Sequence, residues 1–271
     1  MYALRQIVLV LLLGLAPLTG ALAQDVVGSI TDGSGEIIVT RSGNAQAAGV
    51  GTEIWQYDEV YVGGDGEATI TFVDNTVLAL SGGSAMTIDE FVYDPSSQAN
   101  SGLFTLAGGV IGLVSGDMLK TGDMMVTTPV STIGIRGTAV LIDSGTIVTV
   151  DGQGNYVLTA SGTGGETISL VVSPDGTIGV VNVVNNETGQ TTTLSRFGDT
   201  VVTQVVNGSS IQSTSKATTD QIRRKFNRVL LALQNATGKD LGDSANVAEK
   251  EELEEALKEL FEETEEEASN D

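Results

Sequence analysis

The sequence predicts an all-β fold, either sandwich- or jelly-roll-like or a short β-solenoid, with a further β segment and a small α-helical, acidic region at its C-terminal end. Three observations carry this expectation. From Val26 to about Gln212, short runs of Val, Ile, Thr and Leu alternate with Gly, Asp and Asn, the pattern of strands and turns. The 34 glycines and an aromatic content of only 4% suit a core of small and β-branched residues with many turns. Past Ser209 the chain turns polar, and apolar residues then recur with a helical period. No strict sequence repeat is present, which weighs against a regular solenoid.

Residues 1–23 read as a secretory signal peptide. Arg5 supplies a positive start, Ile7 to Leu15 (IVLVLLLGL) an apolar stretch, and Ala21-Leu22-Ala23 a cleavage site, with Ala23 and Gln24 flanking the cut. The apolar run falls short of the ~20 residues that span a bilayer. No cysteine follows for acylation or for a disulfide. The expected mature protein is exported, periplasmic or extracellular (secreted or at the cell surface), with no membrane insertion after cleavage.

Residues 24–145 form the first β domain, with strands such as Glu36–Thr40 (EIIVT), Ala68–Val73 (ATITFV), Thr76–Leu80 (TVLAL) and Ala139–Ile142 (AVLI). ATITFV and TVLAL flank Asp74-Asn75, a hairpin signal. Ile70 and Phe72 alternate with Thr69 and Thr71, so one face is expected buried and the other wet. Further turns are expected at Asp32-Gly33, Gly64-Asp65-Gly66, Asp151-Gly152 and Asp175-Gly176. Residues 146–212 are a β-rich extension, and the polar run 207–220 (NGSSIQSTSKATTD) reads as a linker. A helical region covers 213–264. Thr219-Asp220 can cap a helix whose stripe is Ile222, Phe226, Val229, Leu230 and Leu233, with Gly238 as its stop. A second helix, Ala245 to Glu263, carries the stripe Leu253, Leu257, Leu260 and Phe261. Residues 265–271 are an acidic, disordered tail. A chain cut after Ser209 is expected to keep its β domain, because the linker holds few apolar anchors.

Chemistry is bounded by what is missing. With no His and no Cys, Ser-His-Asp and thiol catalysis are excluded, and zinc loses its usual ligands. The net charge of −22 argues against nucleic acid and anionic membranes. Most Asp residues stand beside Gly or Asn, as turn formers do. The loop Asp240 to Asn246 fails as a calcium loop, because Ala245 occupies the position that needs Gly. No catalytic residue, metal site or cofactor is therefore expected.

The stretch VTTPVSTIGIRGTAV (126–140) resembles the most distinctive motif of the FecR domain family, a Thr-Pro followed by Gly-Ile/Val-Arg-Gly-Thr. Upstream blocks follow in the family's order: VGSI (27–30) with GEIIVTRSG (35–43), then 57–89, then LFTLAGGVIGLVSG (103–116). The resemblance covers about residues 26–145. Tyr57 stands where the family has Gly, and Asn75-Thr76 replaces Gly-Ser. The regulators of this family carry a cytoplasmic anti-sigma segment and a transmembrane helix ahead of the domain. Here a signal peptide is expected in that place, so the resemblance implies the exported sensing or binding module alone.

The motif residues Pro129, Gly134, Arg136, Gly137 and Thr138, with Asp58 and Asp74 from the earlier blocks, are expected to be structural. Gly134 and Gly137 permit close packing or positive φ. Residues 132–140 alternate poorly, as a strand covered on both faces would. Arg136 is therefore expected to be a buried clamp on Asp58, Asp74 or Asp89; the alternative is an arginine that binds an anionic ligand group. The functional expectation is a non-enzymatic module for binding, interaction or sensing at the envelope. Its partner would be an unidentified envelope protein or glycan, with self-association through the C-terminal helices a further option. A surface structural or adhesive β protein is the alternative, and a carboxylate-based glycan hydrolase a distant one.

Overall fold

A computed structural model describes residues 25–120, 122–150, 156–160, 165–171 and 178–238. The signal segment with Ala23 and Gln24, the turns at Asp151 and Asp175, the loop Asp240 to Asn246, the second helix and the acidic tail lie outside the described residues.

The strands run β1 (Val26–Ser34), β2 (Ile37–Arg41), β3 (Asn44–Ala47), β4 (Glu53–Trp55), β5 (Glu59–Val62), β6 (Glu67–Phe72) and β7 (Val77–Ser81). They continue as β8 (Ser84–Val92), β9 (Asn100–Gly108), β10 (Val110–Val114), β11 (Gly122–Thr127), β12 (Ser131–Arg136) and β13 (Ala139–Asp143). Next come β14 (Thr146–Val150), β15 (Tyr156–Ala160), β16 (Glu166–Val171), β17 (Val180–Asn185), β18 (Thr191–Leu194), β19 (Asp199–Val206) and β20 (Ser209–Lys216). One helix, α1 (Thr219–Thr237), closes the described chain.

These strands build two nine-stranded sheets and one small hairpin. The first sheet has the order β20-β19-β16-β13-β10-β7-β6-β1-β4, and the second β18-β17-β12-β11-β9-β8-β5-β2-β3. The all-β expectation holds, and the architecture is the sandwich alternative. Strands before and after residue 145 share both sheets: β16 pairs with β13, and β17 with β12.

Period-two patterning sets the core. Ile70 and Phe72, Leu78 and Leu80, Val140 and Ile142 face inward and are buried together with Ile133, Ile135, Val181 and Val183 of the second sheet. Phe72, Phe91 and Phe104 form an aromatic knot: the first two stack at 4.7 Å, and Phe104 meets Phe72 edge-on at 5.4 Å.

The outer face of the first sheet is also dry. Val77, Ala79, Val114, Ala139 and Leu141 pack under Ile222, Phe226, Val229, Leu230 and Leu233 of α1. This double coverage explains why TVLAL and AVLI read as unbroken apolar runs. The helix comes very close to β10: a Cβ on Gly112 would lie 2.7 Å from Leu233 Cδ1 and 3.3 Å from Val229 Cβ.

The helical stripe and the Gly238 stop are as expected. Gly238 has φ 67° and its N–H donates to the Gln234 carbonyl at 2.9 Å. The cap is Thr218, one residue earlier than expected, in a reciprocal capping box with Gln221. Two expectations are corrected. Much of the polar linker is strand β20, paired with β19 along its length from Asp199↔Lys216 to Val206↔Ser209. Its residues are mostly exposed, so no apolar alternation marks it as a strand. Also, α1 is part of the packed structure, so a chain cut after Ser209 would strip the first sheet of its cover.

Candidate functional site

The TTPVSTIGIRGTAV stretch makes a hairpin and a crossing between the sheets. Thr127 pairs with Thr132, and the tight turn between β11 and β12 is built on Pro129, whose fixed φ suits a turn corner. Thr128, 3% exposed, holds this turn: its Oγ1 accepts from the Ser131 N–H at 2.9 Å and donates to the Ser131 carbonyl at 3.1 Å. Gly137, at φ 62°, lets the chain leave β12 and enter β13 in the other sheet. Thr138 follows, fully buried, and its carbonyl accepts from the Ser115 N–H at 3.2 Å. Gly134 has ordinary φ, and a Cβ there would meet nothing nearer than the Asn182 carbonyl oxygen at 3.9 Å, so neither reason expected for it applies.

Arg136 corrects the central expectation. Residues 132–140 are two strands, not one: β13 is covered on both faces, whereas β12 buries only alternate residues. Arg136 points outward and pairs with Asp123 on β11, with Nη2 to Oδ1 at 2.7 Å and Nε to the same oxygen at 3.0 Å. Both side chains stay more than 60% exposed, at 69% and 64%. Asp58, Asp74 and Asp89 are not its partners.

The clamp exists at a different arginine. Arg41, at the end of β2, forks onto Asp58, with Nε to Oδ1 at 2.8 Å and Nη2 to Oδ2 at 2.7 Å. The Asp58 side chain is completely buried and also accepts the Trp55 N–H at 2.9 Å. The Arg41 guanidinium lies 4.6 Å over the Trp55 ring and donates to the Glu53 carbonyl. The bond to Asp58 raises the already high pKa of Arg41, against the opposing effect of desolvation. Arg41 lies outside the motif, and no pattern in the sequence links it to Asp58.

Asp74, also fully buried, is a turn hub. Its carboxylate accepts the Thr76 N–H at 2.9 Å, the Thr76 hydroxyl at 2.7 Å and the Met118 N–H at 3.1 Å. It thereby fastens the β6–β7 turn to the 3-10 turn Asp117–Lys120. Asp89 is half-buried, with Oδ2 inaccessible and making no hydrogen bond.

Sequence reasoning also missed Glu166, which begins β16 and is 1% exposed. Neither carboxylate oxygen makes a hydrogen bond. Burial pushes its pKa up to about 7 from 4.5; the Ser131 and Thr128 hydroxyls oppose the rise, and the Asp143 carboxylate adds to it. Thr128 Oγ1 donates to the Ser131 carbonyl and Ser131 Oγ pairs with Thr203 Oγ1 at 3.5 Å, and neither hydroxyl is bonded to Glu166. Asp143 itself is held by Lys225 of α1 at 3.1 Å. Among the described residues, no three carboxylates converge as a metal site would require.

Residues 58–163 match the family model described as FecR protein. The resemblance to the FecR domain family holds over that segment. The chain is also similar to two crystal structures of a proposed anti-sigma factor from Parabacteroides distasonis ATCC 8503. The one at 1.65 Å resolution has a TM-score of 0.41 and 15% identity, covering 66% of this chain and 74% of that one. The one at 2.50 Å has a TM-score of 0.42 and 16% identity, covering 65% and 72%. No curated protein matches the chain.

Within the FecR segment, the motif arginine sits on a broad outer face of the second sheet. Backbone pairing aligns Thr87, Thr105, Thr127 and Thr132 across four adjacent strands. The neighbouring row is Leu103, Met125, Gly134 and, on β17, Asn182. Met125 is 42% exposed, and Gly134 leaves a dip beside it. Arg136 and Asp123 border this row. At its other side the same face is covered by the β14–β15 hairpin, where Val148 packs on Tyr61 and Ala85.

Proposed function

We propose that the chain is an exported, non-enzymatic FecR-type module that binds a protein partner at the cell envelope through the outer face bearing Arg136. The observation that carries the reading is the position of Arg136. Among the described residues, the motif's arginine makes no buried ion pair, and the carboxylate it meets, Asp123, is exposed. An exposed pair of this kind is worth about 0–1 kcal/mol. Arg136 can exchange Asp123 for a partner's carboxylate at little cost, and its planar fork suits bidentate capture. Met125 and the Gly134 dip supply an apolar contact beside it, the combination found at the centre of protein interfaces. The expected signal peptide and the match over 58–163 support the envelope setting and the FecR-type role.

The test is a pull-down from the envelope fraction with the wild-type chain and with Arg136→Glu. A protein retained by the wild type and lost with the variant supports the reading. Equal retention by both, or capture of glycan in place of protein, overturns it.

A further inference from the structure

The positive charge of this chain is concentrated in one place. Six of its 13 lysines and arginines fall between Arg196 and Arg228. Within α1, Lys225 is committed to Asp143, but Arg223, Arg224 and Arg228 face solvent. No described carboxylate forms a salt bridge with these three. Leu231 stands on the same face, three residues beyond Arg228, and is 55% exposed. A helix needs only one apolar face to pack, and α1 has already used Ile222, Phe226, Val229, Leu230 and Leu233 for that. Its opposite face is cationic with one large apolar side chain, on a protein whose net charge is −22.

The complement lies immediately downstream. Residues 239–271 hold fourteen acids against three lysines, a net charge of −11 and half the total. Between Glu249 and Glu267 the acids are interleaved with the stripe Leu253, Leu257, Leu260 and Phe261. We propose that this segment, 249–267, docks intramolecularly along the solvent face of α1, setting its carboxylates against Arg223, Arg224 and Arg228 and its apolar stripe against Leu231.

Length and tethering select this occupant over a second copy or a foreign anion. Leu231 lies seven residues before Gly238, roughly 10 Å along the helix at 1.5 Å per residue. A segment that turns back after Gly238 and enters a helix near Ala245 brings Leu253 to about the same level, with the following acids alongside the three arginines. A short tether holds the segment at an effective concentration on the order of millimolar. Any free polyanion must compete against that concentration, so the docked segment also screens the only strongly cationic surface among the described residues.

Hydrogen exchange of the full chain, followed at 249–263 by mass spectrometry, tests the proposal. The comparison is with a chain carrying Arg223→Glu, Arg224→Glu and Arg228→Glu together, at low and at 0.5 M salt and at two protein concentrations about tenfold apart. All three positions are exposed, so the triple variant keeps the buried stripe of α1. In the wild type, exchange at 249–263 should be slowed about tenfold at low salt, independent of protein concentration. The slowing should vanish in the triple variant and in 0.5 M salt. Coil-like exchange in the wild type, or slowing that survives charge reversal, overturns the proposal. Slowing that grows with protein concentration overturns it in favour of docking between two copies.

Discussion

Replacing Glu166 with Gln should make the protein more stable at alkaline pH and leave it nearly unchanged in acid. The carboxyl is 1% exposed and neither oxygen is hydrogen-bonded. Burial raises its pKa from 4.5 to about 7. At about 1.4 kcal/mol per unit, the charged form costs the folded state about 3 kcal/mol. The sign follows from proton uptake. Below pH 4.5 both folded and unfolded chains hold the proton, and Glu166 imposes no charge penalty. Between 4.5 and about 7 the unfolded chain releases it first, so stability falls as pH rises. Above about 7 the loss is complete. Gln has the same shape and no charge, so the difference between variant and wild type should grow from near zero at pH 4.5 to about 3 kcal/mol at pH 8. Urea unfolding of both chains across this range measures it, and titrating groups remote from Glu166 cancel in the comparison. A difference that stays constant with pH would refute the claim that Glu166 is buried without a partner.

Further substitutions separate the structural residues from the surface ones. Arg41→Ala strands the buried Asp58 carboxylate and should cost about 3 kcal/mol by urea midpoint, while Asp58→Asn in the same background should recover part of it. Arg136→Ala should shift the midpoint by less than about 1 kcal/mol, because it removes only an exposed pair. Gly112→Val should cost about 1–3 kcal/mol by overpacking against Leu233 and Val229, and should speed hydrogen exchange in α1 ahead of the sheets.

Much of the fold was legible because burial here is a matter of period. Ile70 and Phe72, and the stripe from Ile222 to Leu233, are local patterns that the packing follows; Thr69, expected on a wet face, is 2% exposed, because the outer face of the first sheet is dry as well. Strand β20 was illegible for the same reason: it lies at a sheet edge, mostly wet, and its pairing with β19 is made by backbone groups that leave no trace in side-chain polarity. For the site, the sequence suggests a buried arginine clamped on a carboxylate and offers Asp58 among the candidates, and Asp58 is such a carboxylate. It names the wrong arginine, Arg136, for the clamp. Arg41 and Asp58 meet because β2 pairs with β5 and the chain turns through Trp55, a long-range fact. Arg136 looked buried because two strands were read as one, and Gly137 is where they divide. Glu166 looked like an ordinary polar residue at a strand start. Only the stacking of the two sheets closes the β11–β12 turn near it.

The central claim, that the Arg136 face of an exported FecR-type module meets an envelope partner, is tested most directly in cells. A photo-crosslinking side chain is placed at Met125, beside Arg136, and separately at Thr31, exposed on the other sheet. The account predicts a discrete protein adduct in the envelope fraction from position 125, none from position 31, and a chain that begins at Gln24. Adducts of equal yield from both positions, or a chain that retains Met1 in the cytoplasm, would contradict it.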